Sequence, residues 1–353
     1  MLKPLFKYPG GKASEYKYIA PIIPKHATYI EPFLGGGAIF WKSQSAKYVI
    51  NDFSPEVTAI YKYTQEQNNN FLNTFYEISY MWESKVKYQK IVEQQLVNSF
   101  KNENHKYILK DVLSDEFDNS SFFNKYHTEF QLFLSDSFAK KLLSLKKIAQ
   151  NQTVENFDQN ALGIIGNALY LLIRSIYNCV SFSDDEITKT VTFFFLREFA
   201  YSSMFRYNKS GNFNVPFGGN SYAKKSLLTR YEQITDSNVV AKLKETIILT
   251  GDFSKALYDD DDTFIFLDPP YDSDFSTYNQ HSFDSLEQIR LRDCLLKLKK
   301  SKWMLVIKKT DFIEDLYNHQ GWFISSFEKQ YSVNFKNRNS QSAQHLIITN
   351  YEV

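Results

Sequence analysis

Thr263-Phe264-Ile265-Phe266-Leu267-Asp268-Pro269-Pro270-Tyr271 sets an acid, two prolines and an aromatic ring directly after a short, unbroken apolar run. A run of that length without alternation reads as a strand buried on both faces, as in a parallel sheet. Its carboxyl end is where open α/β sheets build their sites, so Asp268 falls at a privileged position. The two prolines stiffen the turn and carry no N–H, which leaves backbone carbonyls available as acceptors. Asp268 and the Pro269 carbonyl can together accept both hydrogens of a planar –NH2 group, and Tyr271 offers a flat face for a ring. A rigid turn with an exposed acid is the plainer reading. The strand before the turn and the ring after it favour a site.

Working outward, Thr246–Thr250, Trp303–Ile307 and His345–Thr349 repeat the short apolar pattern of buried parallel strands, and Leu286–Lys300 reads as a crossover helix. Near the start, Thr28–Ile30 and Tyr48–Ile50 add two more strands. Residues 56–162 contain neither glycine nor proline, so tight turns between strands are improbable there. Helices are expected instead over Val57–Thr64, Phe71–Phe100, Phe130–Ala149 and Asn160–Ile176. The fold class is therefore α/β: residues 1–57 and 225–353 build one core, and residues 58–224 form a mainly helical insert.

Length and composition agree. At 353 residues the chain suits two domains, and 43% hydrophobic with 23% charged residues is ordinary for a soluble globular protein. The most apolar stretch, Ala161–Ile176, is broken by Asn167 and Arg174, and residues 1–7 lack a signal peptide's apolar core. Cys179 and Cys294 stand alone, which points away from a disulfide scaffold or cysteine metal site and towards the cytoplasm. No membrane partner and no metal are expected. Net charge is +1, yet Arg206–Arg230 holds five basic residues, Lys297–Lys309 six, and 329–351 three more, none with an acid. Solvated lysine faces explain any one of these; three together favour a polyanionic partner.

Glu31-Pro32-Phe33-Leu34-Gly35-Gly36-Gly37 follows a strand and is expected to open a helix at Ala38, with glycines that let a ligand approach the backbone. Asp52 ends the next strand, 17 residues after Gly35, where nucleotide-binding folds place an acceptor for ribose hydroxyls. A P-loop is excluded, because the stretch ending Gly11-Lys12-Ala13 has Phe6 in place of its first glycine and Ala13 in place of its hydroxyl residue. Gly251-Asp252-Phe253 ends another strand with a carboxylate and an aromatic wall, suited to an adenine ring and its amine.

Taken in order, Lys7-Tyr8-Pro9-Gly10-Gly11-Lys12, Glu31–Gly37, Asn51-Asp52, Arg206–Gly218 and Asp268–Tyr271 resemble the Dam-type (class alpha) family of adenine-N6 DNA methyltransferases. The resemblance implies a Rossmann-like S-adenosylmethionine (SAM)-dependent methyltransferase sheet with an inserted DNA-recognition domain. It implies SAM as methyl donor, bound by Tyr8, Lys12, Asp52 and Asp268, with Glu31, Phe33, Gly35, Asp252 and Phe253 completing the candidate cofactor set. Asp268, Pro269, Pro270 and Tyr271 become the catalytic set. The amine of a flipped adenine would bond Asp268 and the Pro269 carbonyl, with Tyr271 stacked on the base. Phe33 and Tyr8 are candidates for packing near the sulfonium.

The implied partner is double-stranded DNA. Arg206, Asn208, Lys209 and Asn214 are candidate contacts in the Arg206–Gly218 segment, the asparagines equally suited to capping a turn; Lys224, Lys225 and Arg230 are assigned to phosphates, with Lys336 and Arg338 as weaker candidates. The insert is longer than in GATC-methylating members, and Phe193–Arg206 is closer to members paired with restriction enzymes, so a cognate restriction endonuclease is a further expected partner. Three alternatives stay open: methylation of a protein glutamine or an RNA amine, N4-cytosine methylation, and a catalytically inactive DNA-binding regulator. Asp268 differs from the asparagine of glutamine methyltransferases, and the basic segment would lack a purpose there.

Overall fold

Short apolar runs became strands, those at the centre of the sheet buried on both faces, whereas Thr246–Thr250, expected to be buried, is an edge strand with Ile247 61% exposed. The computed structural model describes residues 2–102, 106–270, 283–330 and 342–353. β1 (Thr28–Glu31), β2 (Lys47–Asp52), β3 (Thr246–Thr250), β4 (Thr263–Leu267), β5 (Lys302–Lys308), β6 (Phe323–Gln330) and β7 (Ser342–Thr349) form one seven-stranded sheet in the order β3-β2-β1-β4-β5-β7-β6. The first five are parallel; β7 runs antiparallel to β5, and β6 antiparallel to β7. His345–Thr349 is thus a strand but not a parallel one. β6 escaped the sequence reading because it is a largely exposed edge strand without an apolar run.

The helices are α1 (Tyr16–Ile19), α2 (Pro55–Glu66), α3 (Asn69–Lys101), α4 (Ser114–Asn119), α5 (His127–Ala149), α6 (Phe157–Cys179), α7 (Glu186–Phe199), α8 (Asn220–Ala223), α9 (Leu228–Ile234), α10 (Ser237–Lys244), α11 (Ser285–Leu295) and α12 (Asp311–Tyr317). The expected helix at Ala38 is only a 3-10 turn, Phe40–Lys42, and the crossover helix stops at Leu295 rather than Lys300. Side-chain caps start α3, α7, α11 and α12, with Asn68 accepting from the Phe71 N–H, Asp185 from Thr188, Asp284 from Leu286 and Glu287, and Thr310 from Ile313. α6, apolar along most of its length, is a core helix: Ile164, Ile165, Leu169, Leu172 and Ile173 are all buried.

Two compact units result. One comprises Met1–Pro4, Gly10–Gln65 and Ser237–Val353; the other comprises Leu5–Pro9 and Glu66–Asp236. These bounds differ from the expected 57/58 and 224/225. α2 belongs to the α/β unit, where Lys62 Nζ donates to Thr250 Oγ1 at 3.1 Å and Gln65 Nε2 to the Thr246 carbonyl at 2.8 Å. Residues 225–236 belong to the helical unit, where Trp82 Nε1 donates to the Lys225 carbonyl at 2.8 Å and Gln67 Nε2 to that of Ile234 at 3.0 Å. In the α/β unit, α11 and α12 cover one sheet face with Leu291, Leu295, Ile313 and Tyr317, packed against Ile30, Ile265, Leu267, Trp303 and Leu305. Burying each such side chain contributes about 1.5–3 kcal/mol.

The helical unit also buries a cation. Lys85 lies under the Trp82 ring and donates to the Trp82 carbonyl at 2.7 Å, and burial pulls its pKa down to about 8. The unfolded chain therefore binds more protons than the folded one between about pH 8 and 10.5, so this residue's contribution to stability improves as pH rises through that window. Lys85→Met is expected to stabilise the protein by about 1–2 kcal/mol at pH 7 and by much less at pH 10.5, read from urea unfolding at the two pH values. An equal gain at both would mean that packing, not charge burial, is responsible.

Candidate active site

Four acids end four neighbouring parallel strands: Asp252 just past β3, Asp52 on β2, Glu31 on β1 and Asp268 just past β4. Chain order reverses between β1 and β4, which is where a doubly wound sheet opens a crevice. Adjacent strands lie about 4.8 Å apart, so these carboxyls would repel one another without partners. Each has its own.

Asp268 forms an ion pair with Lys12, which is 1% exposed against 19% for the acid, and Lys12 Nζ also donates to the Gly10 carbonyl at 3.2 Å. Asp52 accepts from the Gly35 N–H at 2.7 Å and the Ser54 N–H at 2.9 Å. It therefore fastens the glycine loop to β2. Gly35 has φ +50°, which favours a residue without Cβ. Glu31 turns inward, where one oxygen accepts from the Tyr29 hydroxyl at 2.6 Å and the Phe40 N–H at 2.9 Å. Burial, aided by repulsion from Asp268, pushes its carboxyl up to about 8. Glu31 thus buttresses the loop from within. Asp252 accepts from Ser254 and, bidentately, from Arg290 at 3.1 and 2.6 Å, and that guanidinium holds it far below the usual carboxylate range.

Asn51 supplies a link that the sequence reading assigned to no role: its amide donates to the carbonyls of Pro32 and Gly251, both at 3.0 Å, tying two of the loops together. Gln288, fully buried on α11, donates to the Pro270 carbonyl at 3.3 Å. So of the two proline carbonyls, that of Pro270 already has a donor. Phe33, Phe253 and Phe283 form an aromatic trio with centroids 5.2, 5.4 and 5.9 Å apart, only partly buried at Phe33 and Phe283. An apolar ring wall beside carboxylate acceptors suits a flat ring carrying an amine. Tyr271, Lys336 and Arg338 lie outside the described residues. Tyr8 belongs to the helical unit, its ring stacked on the buried Arg197 guanidinium at 4.3 Å.

In the helical unit, Arg206–Asn214 forms a hairpin with Tyr207 paired to Phe213 and a turn at Asn208–Gly211, Gly211 having φ +75°. α6 holds it: Asn178 bonds both the N–H and the carbonyl of Phe213, and Tyr170 donates to the Val215 carbonyl at 2.8 Å. Arg206, Lys209 and Asn214 are exposed, Arg206 Nε reaching Asn214 Oδ1 at 3.4 Å. Asn208 is occupied differently, its Oδ1 accepting from the N–H groups of Ser210 and Asn212. Lys224 is exposed, whereas Arg230 is paired with Glu198 at 3.2 Å and Lys225 folds over the Tyr222 ring. In the 297–309 run, Lys300 and Lys309 meet Asp261 and Glu314, so that stretch is partly neutralised by its own neighbours.

Residues 8–171 and 97–333 match the sequence profile of the D12 class of N6 adenine-specific DNA methyltransferases. The chain belongs to that family. This enzyme is an adenine-specific DNA methyltransferase, and its mixed, mostly parallel sheet is consistent with a methyltransferase fold. It is 28% identical to the type II methyltransferase M.CviBI of Paramecium bursaria Chlorella virus NC1A, covering 99% of this chain and 100% of that one. Identity to the type II methyltransferase M.MjaIII of Methanocaldococcus jannaschii is 25% over 99% of each chain. Identity to the DNA adenine methylase of Vibrio cholerae is 23% over 85% of this chain and 78% of that one.

Two outcomes follow for the methyltransferase. Asp268→Asn leaves the Lys12 ammonium beside a neutral amide and is expected to cost about 3 kcal/mol of stability, while the Lys12→Met/Asp268→Asn double variant costs less than the two single changes together. Denaturant titration of the four proteins decides it, and strict additivity contradicts a coupled pair. For the hairpin, Asn208→Asp keeps the acceptor for both turn N–H groups and is expected to keep stability within about 0.5 kcal/mol, whereas Asn208→Ala is expected to lose about 1 kcal/mol. Denaturant titration of the two variants checks this, and equal losses would mean that the turn does not depend on the acceptor.

Proposed function

We propose that the methyl donor is SAM, that it binds at the carboxyl edge of β3, β2, β1 and β4, and that the acceptor is N6 of an adenine turned out of duplex DNA. The observation that carries this reading is the Lys12–Asp268 pair at the start of the Asp268-Pro269-Pro270 turn that follows β4. The donor supplies an electrophilic methyl group on a sulfonium. An exocyclic adenine nitrogen shares its lone pair with the ring and is a poor nucleophile. Asp268 and the Pro269 carbonyl accept its two hydrogens, favour a pyramidal nitrogen and stabilise the positive charge that develops there. Lys12 keeps Asp268 an anion, hence an acceptor only. The N–C bond forms as the donor's S–C bond breaks, S-adenosylhomocysteine leaves as the neutral thioether, and the methylated nitrogen gives its proton to water, so no covalent enzyme intermediate is needed. Tyr271, next in the chain, is assigned the stacking face for the base.

Phe33, Phe253 and Asp252 are assigned to the donor's adenine, and Asp52 to its ribose. The Gly35 N–H and the Ser54 N–H orient the Asp52 carboxylate at the end of β2. The helical unit is assigned to target recognition, with Arg206, Lys209 and Asn214 at the exposed hairpin as base or phosphate contacts and Lys224 at phosphates. Lys225 and Arg230, held by Tyr222 and Glu198, are assigned to shaping that surface and meeting the backbone only where it reaches them. A restriction–modification role, in the cytoplasm and with a cognate endonuclease acting on the same site, is supported by end-to-end similarity to proteins named type II methyltransferases.

Incubation with methyl-labelled SAM and unmethylated plasmid, followed by digestion to nucleosides, tests the assignment. Label is expected in N6-methyladenine and is expected to fall by at least about a thousandfold in Asp268→Ala with SAM affinity retained within tenfold. Undiminished label in that variant would remove Asp268 from the chemistry.

A further inference from the structure

Arg290 is assigned no role by family resemblance or by the reading above, yet it makes the densest polar contact at the sheet edge. It sits on α11, two residues after the Gln288 that holds the Pro270 carbonyl. Its Nη1 donates to Asp252 Oδ1 at 3.1 Å and its Nη2 to Oδ2 at 2.6 Å, while its guanidinium lies 4.2 Å from the Phe253 ring centroid. Glu287 holds it from the other side, accepting from Nε at 3.1 Å and from Nη2 at 2.5 Å. Arg290 is thus oriented before it meets Asp252.

Counting donors shows what this does to the acid. Asp252 Oδ1 accepts from the Ser254 N–H at 3.0 Å, the Ser254 hydroxyl at 2.5 Å and Arg290 at 3.1 Å, which fills it. Among the described residues, Oδ2 receives Arg290 alone. A carboxylate oxygen has two lone pairs in its plane, so among the described residues one acceptor position is left, on Oδ2, and the Asp252 side chain as a whole is 37% exposed. The charged groups around it are Arg290 and Glu287 from α11 and Lys255 from the next turn, whose ammonium bonds the Thr250 carbonyl. The net local field favours the anion.

We infer that Arg290 is a specificity-determining positioning residue: it fixes Asp252 as an ionised, single-position acceptor that selects a donor ring bearing a 6-amino group over one bearing a 6-oxo group. The inference rests on the assignment of Asp252 and Phe253 to the donor's adenine. An ionised carboxylate accepts an amine hydrogen and repels a carbonyl oxygen. A protonated one donates to that oxygen instead, and selectivity disappears.

The probes are S-adenosylhomocysteine and its 6-oxo counterpart S-inosylhomocysteine, titrated calorimetrically into the full-length protein without DNA at pH 8 and pH 5.5. The natural protein is expected to prefer the 6-amino form by at least about a hundredfold at both pH values. Arg290→Gln is expected to weaken S-adenosylhomocysteine binding by about tenfold and to lose most of the preference at both pH values, because the carboxylate stays ionised at each and what is lost is its fixed orientation. Arg290→Lys, which keeps the charge without the fork, restores only part of the affinity and of the preference. Melting curves for each variant separate loss of fold from loss of selectivity, since a general loosening weakens both probes equally. Tighter S-adenosylhomocysteine binding in Arg290→Gln would overturn the inference and make Arg290 a competitor for the carboxylate. An unchanged preference in Arg290→Gln would overturn it as well. Asp252→Asn answers the separate question: if it leaves the preference intact, the adenine assignment itself falls.

Discussion

Four carboxyls along one edge of a parallel sheet repel one another, and the α/β unit is organised around giving each a private set of donors. Lys12 serves Asp268, the backbone at Gly35 and Ser54 serves Asp52, Tyr29 and Phe40 serve Glu31, and Ser254 with Arg290 serves Asp252. In a low-dielectric edge an unsatisfied acid costs several kcal/mol or takes up a proton, so the donor sets decide which acids remain anions. The outcome is a division of labour. Glu31, buried and pushed towards its neutral form, serves the interior of its loop. Asp252 and Asp268 are partly exposed, and each is paired with a cation.

The same logic shapes the loops between the acids. Asn51 spans Pro32 and Gly251, and the Leu34 N–H and Gly251 N–H bond the carbonyls of Asn51 and Asp52 at 2.9 Å. The start of the glycine loop, from Pro32 to Gly35, is therefore pinned to the strand beside it, and the Gly251 loop is pinned to the same strand. α11 adds a second layer of support through Gln288 and Arg290, two side chains that reach two different acid-bearing turns. Such outer supports commonly matter as much as the groups they hold.

In the helical unit the polar work is concentrated on a hairpin. Asn178 and Tyr170 of α6 grip its backbone, Phe213 and Val215 are buried in the unit's core, and Arg206 and Lys209 are exposed. The Asn208 acceptor closes the turn.

Much of this was legible in the chain. Continuous apolar runs had to be buried strands, and residues 56–162, free of glycine and proline, had to be helical; both follow from local physics. The acids at strand ends could be located for the same reason, because strand ends are set locally and parallel strands share one edge. Tertiary structure alone decided what each acid does. Glu31 and Asp252 sit in similar contexts after apolar runs, but only packing delivers Tyr29 and Phe40 to one and Arg290, 38 residues away, to the other. β6 and the direction of β7 were equally out of reach, since an exposed edge strand carries no apolar signal and strand polarity depends on a connection rather than on composition. Sequence specifies which groups must be satisfied. Their partners, and hence their protonation and function, come from residues brought together across the fold.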